Sequence, residues 1–156
     1  MAETHTISCL VENHFGVLAR VSSLISARAF NIDSLTVSTT EDPTISRMTI
    51  VVDADAQKLE QVNHQLERLI DVIEVQELCE GEFIDREILL ARLDGAVKPK
   101  IEALAKEAGA RFIEAKHGAV VLEATGDPKM LDRLVEQLRP HGITKLVRTG
   151  RVALEK

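Results

Sequence analysis

The chain has 156 residues, and 19 lysine and arginine residues against 25 aspartate and glutamate residues give it a formal net charge of −6. This acidic balance argues against nucleic-acid binding and against docking on an anionic membrane, because both need a clustered positive surface. With 45% apolar and 28% charged residues, four phenylalanines and neither tyrosine nor tryptophan, the composition is that of a globular protein without platforms for base stacking.

The first half of the chain has the pattern of a βαββαβ unit. Alternating apolar and polar residues indicate strands, and apolar residues three and four positions apart indicate helices. The predicted strands are residues 5–11, 31–40, 47–53 and 71–78, and the predicted helices are residues 17–28 and the segment that follows Asp55. Asp55 is a residue type that caps helix N-termini. The clearest apolar stripe in the chain follows it, formed by Leu59, Val62, Leu66 and Leu69.

The same order begins again after residues 80–82. The predicted strands are residues 87–93, 111–116, 119–124 and 143–148, with a short extension at 152–154, and the predicted helices are residues 98–108 and 128–141. The chain is therefore predicted to be α+β, with two ferredoxin-like βαββαβ domains at residues 1–79 and 80–156. Each half is small for a stable core and leaves a sheet face or edge free, so we expect pairing with another copy or another protein.

Motifs typical of enzyme active sites and metal centres are missing from the sequence. The five histidines are scattered, and none falls in an HExxH or similar metal-binding spacing. The sequence has no GxSxG nucleophile elbow, no Walker A loop and no GxGxxG turn after a strand. Cys9 and Cys79 form neither a disulfide framework nor a zinc pattern. We therefore predict no catalytic residue and no metal ligand, and a binding or regulatory role is favoured.

The sequence also predicts a cytoplasmic protein. It has no apolar run long enough to cross a bilayer, and its first residues lack the positive and apolar regions of a secretory signal. In a reducing compartment both thiols would pack as small hydrophobes.

The segment from Asn13 to Asn31 is the most informative for function. A strand ends, a turn containing Gly16 follows, and a helix begins, so unpaired N–H groups and the positive end of the helix dipole suit a small carboxylate. Gly16 lets the backbone approach a ligand closely, and Asn13 can donate or accept beside it. Asn31 lies beyond the other helix end, about 20 Å away, so it would share the ligand only across a symmetric pair of chains. Both asparagines also fit structural roles, Asn13 as a helix cap and Asn31 as a C′ residue in the left-handed conformation.

Several motifs together are specific to one family. The run LVENHFGVLARVSSLISARAFNIDSLTVSTTEDPTISRMTIVV covers residues 10–52. In the second half stand REILL at residues 86–90, EATGDP at 123–128, LRPHGI at 138–143 and RTGRVAL at 148–154. This combination resembles the small regulatory subunit of acetohydroxyacid synthase, also called acetolactate synthase, and the first half resembles an ACT domain. The resemblance covers nearly the whole chain.

The resemblance implies a non-catalytic subunit of an enzyme that condenses two 2-oxo acids in branched-chain amino-acid synthesis. It implies that thiamine diphosphate, magnesium and FAD belong to the large catalytic subunit, so no cofactor is expected on this chain. It further implies that this chain activates the catalytic subunit and confers feedback inhibition by L-valine. In this family the ACT domains pair as a homodimer and valine binds at their interface.

Residues of the family's effector site carry over to positions of this sequence. The resemblance implies that Asn13 and Gly16 from one protomer and Asn31 from the other bind valine, in agreement with the two-copy argument above. The positions near enough in sequence to line the same pocket are Val17, Leu18, Ile32 and Ser34.

Two positions depart from the family pattern. Phe15 stands where many ACT domains have proline, and Ala29 stands where this family usually has glycine before the aromatic residue. Alanine there is costly if the backbone needs a positive φ and favourable if the position is still helical. We expect these changes to alter the affinity or the preference among valine, isoleucine and leucine rather than to abolish binding.

Two rival classes of function are disfavoured, and a third stays open. A nucleic-acid-binding βαββαβ module needs sheet aromatics and a basic face, which the composition denies. A small enzyme on paired ferredoxin-like folds needs a convergent polar pocket, and the sequence indicates no such cluster. An ACT-type sensor that serves a different metabolic enzyme is the open alternative.

We expect the contact with the catalytic subunit partly on free ACT surface and partly on the second half of the chain. In that half, Arg148 and Arg151 either contribute to the contact or form a solvated end.

Overall fold

A computed structural model describes residues 3–27, 31–79, 81–94, 99–114 and 116–156. The chain divides into two compact units: Met1–Ile84 together with Arg151–Lys156, called the first unit, and Asp85–Gly150, called the second unit. Within the described residues, no helix is both long enough and apolar enough to span a membrane.

The first unit contains a four-stranded antiparallel sheet and two helices. Its elements in chain order are β1 (Glu3–Glu12), α1 (Val17–Ser26), β2 (Ile32–Thr39), β3 (Ile45–Ala54), α2 (Ala56–Leu66) and β4 (Val72–Leu78). The strand order is β2-β3-β1-β4, so β1 and β3 are central and β2 and β4 lie at the edges of the described sheet. Each neighbouring pair is antiparallel, and Ile7 of β1 lies opposite Ile50 of β3.

The core of the first unit lies between one face of this sheet and both helices. Alternate residues of β1 and β3 point into it, and each helix adds residues three or four positions apart. The fully buried members are Ile7, Cys9, Val11, Val21, Ile25, Met48, Ile50, Val52, Val62 and Leu66. Burial raises the pKa of the Cys9 thiol to about 12, so this cysteine packs as a hydrophobe.

The opposite face of the same sheet is polar but also buried. Thr6, Ser8 and Thr49 are almost inaccessible to solvent. Arg47 Nη1 donates to Ser8 Oγ at 2.8 Å, and Arg151 Nη1 donates to Thr6 Oγ1 at 2.8 Å. The two hydroxyl groups therefore have partners, which buried polar atoms require.

The second unit has a sheet of the same type. Its elements are most of β5 (Phe83–Leu93), then α3 (Pro99–Glu107), β6 (Arg111–Glu114), β7 (Val120–Gly126), α4 (Pro128–Leu138) and β8 (Ile143–Arg148). The strand order is β6-β7-β5-β8. The C-terminal strand β9 (Val152–Glu155) belongs to the first unit and pairs with β5, whose first two residues also lie in that unit. The inward residues of β5 and β7 pack against both helices. Fully buried leucines of this core are Leu89, Leu122, Leu131 and Leu138.

The outward face of the second sheet exposes apolar side chains. We name this surface the apolar face, and it consists of Ile88, Leu90, Ile113 and Val147. Leu90 lies opposite Val147 in the register of β5 and β8, and the alternation of β-strands places Ile88 on the same side. Large contiguous apolar patches on small proteins are typical of contact surfaces, which makes the apolar face a candidate for one.

The predicted α+β class with two βαββαβ arrangements is confirmed. All eight predicted strands are present, and the extension at residues 152–154 is strand β9. The first helix, predicted to reach residue 28, ends at Ser26. Residues 28–30, including Ala29, lie outside the described part of the chain, and so does residue 98, where the third helix was predicted to begin.

The compact units differ from the predicted division between residues 79 and 80. Residues up to Ile84 and the tail Arg151–Lys156 belong to the first unit. The reason is a set of hydrogen bonds between positions that are far apart in sequence. Arg151 N donates to Ser34 Oγ at 2.9 Å, and Lys156 N donates to Glu82 O at 3.0 Å.

Candidate functional site

The turn between β1 and α1 is tied to the loop after β2. Asn13 N donates to Thr44 O at 2.7 Å, and Asn13 Nδ2 donates to Pro43 O at 2.8 Å. The residue before α1 is Gly16, whose φ of +90° lies in the left-handed region that glycine adopts without strain. Asn13 is therefore not the cap of α1, and the alternative structural role predicted for it is wrong.

The N-terminus of α1 differs from those of α2 and α4. Asp55 Oδ1 accepts from Lys58 N at 2.9 Å, and Asp127 Oδ1 accepts from Met130 N at 2.9 Å, so these aspartates cap the latter two helices. Within the described chain, α1 begins with neither a side-chain cap nor an acidic residue in its first turn. Its first N–H groups and the positive end of its dipole are thus suited to an external anion.

The two residues after Gly16 point in different directions. Val17 is 2% exposed and its side chain belongs to the core, so this predicted residue offers no exposed side chain to a ligand. Leu18 is 45% exposed and lies on the outer side of the helix. Phe15, which replaces the proline of many ACT domains, has a fully exposed side chain.

The other predicted residues lie at the far end of α1 and on β2. Asn31 is exposed, and its Nδ2 donates to Asp33 Oδ1. Ile32 is partly buried against the core, and Ser34 Oγ accepts from Arg151 N. The ten residues of α1 span about 15 Å, so a single chain does not bring Asn31 to Gly16. The C′ role suggested for Asn31 stays a prediction, because residues 28–30 are not described.

Sequence reasoning missed a charged cluster beside this turn, formed by Glu12, His14, Arg20 and Asp71. His14 Nε2 lies 3.0 Å from Glu12 Oε2 and 3.0 Å from Asp71 Oδ1. Arg20 Nε donates to Asp71 Oδ2 at 2.6 Å, and the Asp71 side chain is only 7% exposed. Asp71 is far from the other three in sequence and reaches them through the pairing of β1 with β4, so local spacing gave no signal for it.

Electrostatics around His14 favour its charged form. Its Nδ1 lies 3.2 Å from the Phe15 carbonyl, which can only accept, so Nδ1 carries the proton. The pKa of His14 is raised above its ordinary value of 6.5, mainly by this hydrogen bond with Phe15. The hydrogen bond with Glu12 and the negative charge of Asp71 raise it further.

Arg20 lies next to the glycine at the start of α1. A methyl group added to Gly16 would lie 3.1 Å from Arg20 Nη1. The guanidinium, held by Asp71, thus adds a positive charge beside the free N–H groups of the helix. Such an arrangement is suited to binding a carboxylate.

The two arginines considered for partner contact are engaged within the chain. Arg148 donates through Nε to Glu87 Oε2 at 2.7 Å and also pairs with Asp132. Arg151 contacts Thr6 and Ser34, as described above. The prediction of a solvated basic end is therefore wrong, because Arg148 and Arg151 form hydrogen bonds and ion pairs that attach the C-terminal segment to the rest of the chain.

Comparison with known proteins gives one family for both halves of the chain. A family model described as an AHAS small subunit-like ACT domain matches residues 7–74, and one described as the small subunit of acetolactate synthase matches residues 86–156. A probable acetolactate synthase small subunit of Archaeoglobus fulgidus is 43% identical over 152 residues, which cover 96% of this chain and 95% of that protein. The acetolactate synthase small subunit of Mycolicibacterium smegmatis is 41% identical over 155 residues, with 98% and 91% covered.

A solved structure agrees with these sequence relatives. The crystal structure of the acetolactate synthase small subunit from Thermotoga maritima superposes with a TM-score of 0.89 at 29% identity, covering 99% of this chain and 98% of that one. The similarity extends through both units, the turn at Gly16 and the C-terminal segment. The chain described above therefore belongs to the acetolactate synthase small subunit family and carries its ACT domain in the N-terminal half.

Proposed function

We propose that this chain activates the catalytic subunit of an acetolactate synthase and makes it sensitive to feedback inhibition by L-valine. The observation that carries the proposal is the similarity to acetolactate synthase small subunits over nearly the full length of the chain. The catalytic subunit would hold thiamine diphosphate, magnesium and FAD and condense two 2-oxo acids. This chain would contribute regulation and no catalytic residue.

The effector site of the proposal is the start of α1. The carboxylate of valine would accept from backbone N–H groups near Gly16, where the helix dipole and Arg20 favour a negative charge. Because the Asn13 Nδ2 group donates to Pro43 O, the Asn13 Oδ1 atom would accept from the ligand's ammonium group. The isopropyl group would lie against Leu18 and, from a second chain, Ile32. Such a pocket separates valine from leucine or isoleucine by only about 1–3 kcal/mol per methylene.

A second copy of the chain would complete this site through β2. This strand lies at the edge of the described sheet and has one side free for pairing. If two copies paired antiparallel along β2 about a two-fold axis, the start of one strand would lie beside the end of the other. Asn31 stands just before β2, and Pro43, which Asn13 contacts, stands in the loop after it. Asn31 of the partner subunit would then approach Asn13, as the two-copy argument requires.

Regulation follows from where the ligand would sit. A ligand changes activity only if it binds one arrangement of the complex better than another. Valine held between two copies would fix their relative orientation and so favour the inhibited arrangement. The contact that activates the catalytic subunit would lie elsewhere, and the apolar face of the second unit is our candidate for it.

Reconstitution with an acetolactate synthase catalytic subunit from the same organism tests this proposal. The wild-type chain should raise the catalytic rate, and L-valine should reverse the increase. Asn13→Ala should keep the activation and weaken the inhibition by tenfold or more, because it removes a ligand contact and not the activating surface. Gln61→Ala, which removes an exposed amide from α2, is the matched control and should behave as wild type.

Two results would contradict the proposal at different levels. Unchanged valine inhibition in Asn13→Ala would refute the assignment of the site and leave the regulatory role standing. Failure to copurify with the catalytic subunit, together with no change in its rate, would refute the regulatory role and favour an amino-acid sensor for another enzyme.

A further inference from the structure

A cluster of three potential metal ligands joins the ends of two strands in the first unit. Glu12 is the last residue of β1, His14 lies in the turn after it, and Asp71 directly precedes β4. One ligand atom from each lies within 4.8 Å of the others. We propose that Glu12, His14 and Asp71 form a binding site for a first-row divalent transition metal ion such as Zn²⁺. None of these three side chains is among the proposed effector contacts, although Arg20 neighbours both sites. The proposal does not rest on the proposed function.

The orientation of the His14 ring is that of a metal ligand. Its Nδ1 faces the Phe15 carbonyl at 3.2 Å and therefore holds the hydrogen. The other nitrogen, Nε2, points between the oxygens of Glu12 and Asp71. Metal-bound histidines usually have this arrangement, in which a carbonyl accepts from one nitrogen and leaves the lone pair of the other for the ion. With Nδ1 as the donor, Nε2 and the two carboxylate oxygens can converge on one metal ion, which would take the place of the proton that Nε2 carries when His14 is charged.

The spacing of the ligand atoms fits a small ion. Bonds of about 2.0–2.1 Å in a tetrahedral zinc site put neighbouring ligand atoms about 3.3 Å apart. His14 Nε2 is 3.0 Å from both carboxylate oxygens, so small side-chain rotations reach this geometry. One nitrogen and two oxygens favour zinc, cobalt or nickel, whereas magnesium and calcium prefer oxygen ligands alone.

The support around Asp71 makes the cluster more than a surface group of acids. Asp71 is 7% exposed, and its second oxygen accepts from Arg20 Nε at 2.6 Å. This contact fixes the carboxylate so that Oδ1 faces His14, in the manner of the outer hydrogen bonds that orient metal ligands. Glu12 N also donates to Asp71 O at 2.8 Å, so the backbones of the two strands already meet here. A bound ion would link the end of β1 to the start of β4 and so stabilise the folded chain.

Titration of the full-length, untagged chain with Zn²⁺ in a calorimeter tests the proposal. We expect saturation near one ion per chain and a melting temperature that rises with Zn²⁺ concentration. Titration with Co²⁺ should give the visible absorption of a low-symmetry, nitrogen- and oxygen-ligated ion. Mg²⁺ at the same concentration should neither bind with comparable affinity nor displace Co²⁺.

Single variants identify the ligands. His14→Ala and Glu12→Gln should each weaken Zn²⁺ binding by at least tenfold while leaving the metal-free chain folded, because both side chains are about half exposed. His64→Ala is the matched control, since His64 is an exposed histidine 3.5 Å from Glu67 on α2. No Zn²⁺ binding by the wild-type chain, or equal affinity in His14→Ala and wild type, would overturn the proposal. Equal loss in His64→Ala would place the ion elsewhere and also overturn it.

Discussion

At the scale of single residues, Gly16 forms the turn between β1 and α1 and lies beside the charged side chain of Arg20. Its φ of +90° turns the chain from β1 into α1, and the Arg20 guanidinium lies where a side chain on Gly16 would project. Arg20 is in turn held by the buried Asp71. The turn, the helix N-terminus and the charged cluster are therefore parts of one local structure, and a change at Gly16 should affect both stability and ligand binding.

Gly16→Ala tests this coupling. Alanine in the left-handed region should lower the free energy of unfolding by about 1–2 kcal/mol. The added methyl group, 3.1 Å from Arg20 Nη1, should also displace the guanidinium and weaken L-valine binding. Urea unfolding measures the first effect, and calorimetry measures the second.

Gly81→Ala is the control for the Gly16 variant. Gly81 has the same φ of +90°, but among the described residues no atom beyond its chain neighbours lies within 4 Å of its added methyl group. It should lose a similar free energy of unfolding and keep valine binding. Equal binding by the two variants would show that Arg20 has no part in the effector site.

At the scale of helices and strands, the local sequence pattern is sufficient to predict the elements but not the contacts between distant residues. The apolar stripes of α2 and α4 and their aspartate caps were readable because helix periodicity and capping depend on neighbours within one or two turns. Strand alternation likewise indicated both sheets. The predicted α1 is two residues too long, because its apolar stripe ends at Ile25 and a stripe does not specify at which residue a helix ends.

The contacts that sequence did not predict are those between distant positions. Asp71 meets His14 and Arg20 through strand pairing, and Arg151 reaches Thr6 across more than a hundred residues. No local period encodes such a contact. The helix start predicted at Gly16 is confirmed, whereas the charged groups around it are brought together only by strand pairing.

The cap of α2 predicts an acid dependence of stability. The Lys58 N–H, and then the Lys58 ammonium, lower the pKa of Asp55 below its ordinary value of 3.8. Because the folded-state pKa is the lower one, this stabilisation is complete above the unfolded-state pKa and is lost as the pH falls through the folded-state pKa. Asp55→Asn keeps a good capping residue without the titration.

Urea unfolding of wild type and Asp55→Asn between about pH 6 and pH 2.5 measures this effect. The difference in free energy of unfolding should be constant above about pH 5 and should change in favour of Asp55→Asn below about pH 4. Parallel curves for the two proteins down to the lowest pH would contradict the role assigned to Asp55.

At the scale of the whole molecule, the two units expose different kinds of surface. The first unit offers a sheet edge at β2 and the free N-terminus of α1, which suit a second copy and a small anionic ligand. The second unit offers the apolar face on its sheet. This separation accounts for how one small chain would sense an amino acid with one half and contact a catalytic subunit with the other.

Val147→Asp tests the role of the apolar face. Val147 is 60% exposed on β8, so a carboxylate there should leave folding intact and disrupt an apolar contact with the catalytic subunit. We expect activation to need at least tenfold more of the variant chain, with unchanged L-valine binding. Gln137→Asp places the same charge on the exposed side of α4 and should activate normally. Full activation by Val147→Asp would show that the contact with the catalytic subunit does not lie on the apolar face.

The most direct test of the central claim is complementation between two defective chains. Asn13→Ala and Asn31→Ala should each weaken calorimetric binding of L-valine by tenfold or more, with D-valine as the inactive control. If each site takes Asn13 from one chain and Asn31 from the other, chains unfolded and refolded together should regain about a quarter of the wild-type sites, since half of the pairs are mixed and each has one intact site. Recovery of L-valine binding in the mixture is the predicted result. No recovery, or full binding by either variant alone, would contradict a site shared between two copies.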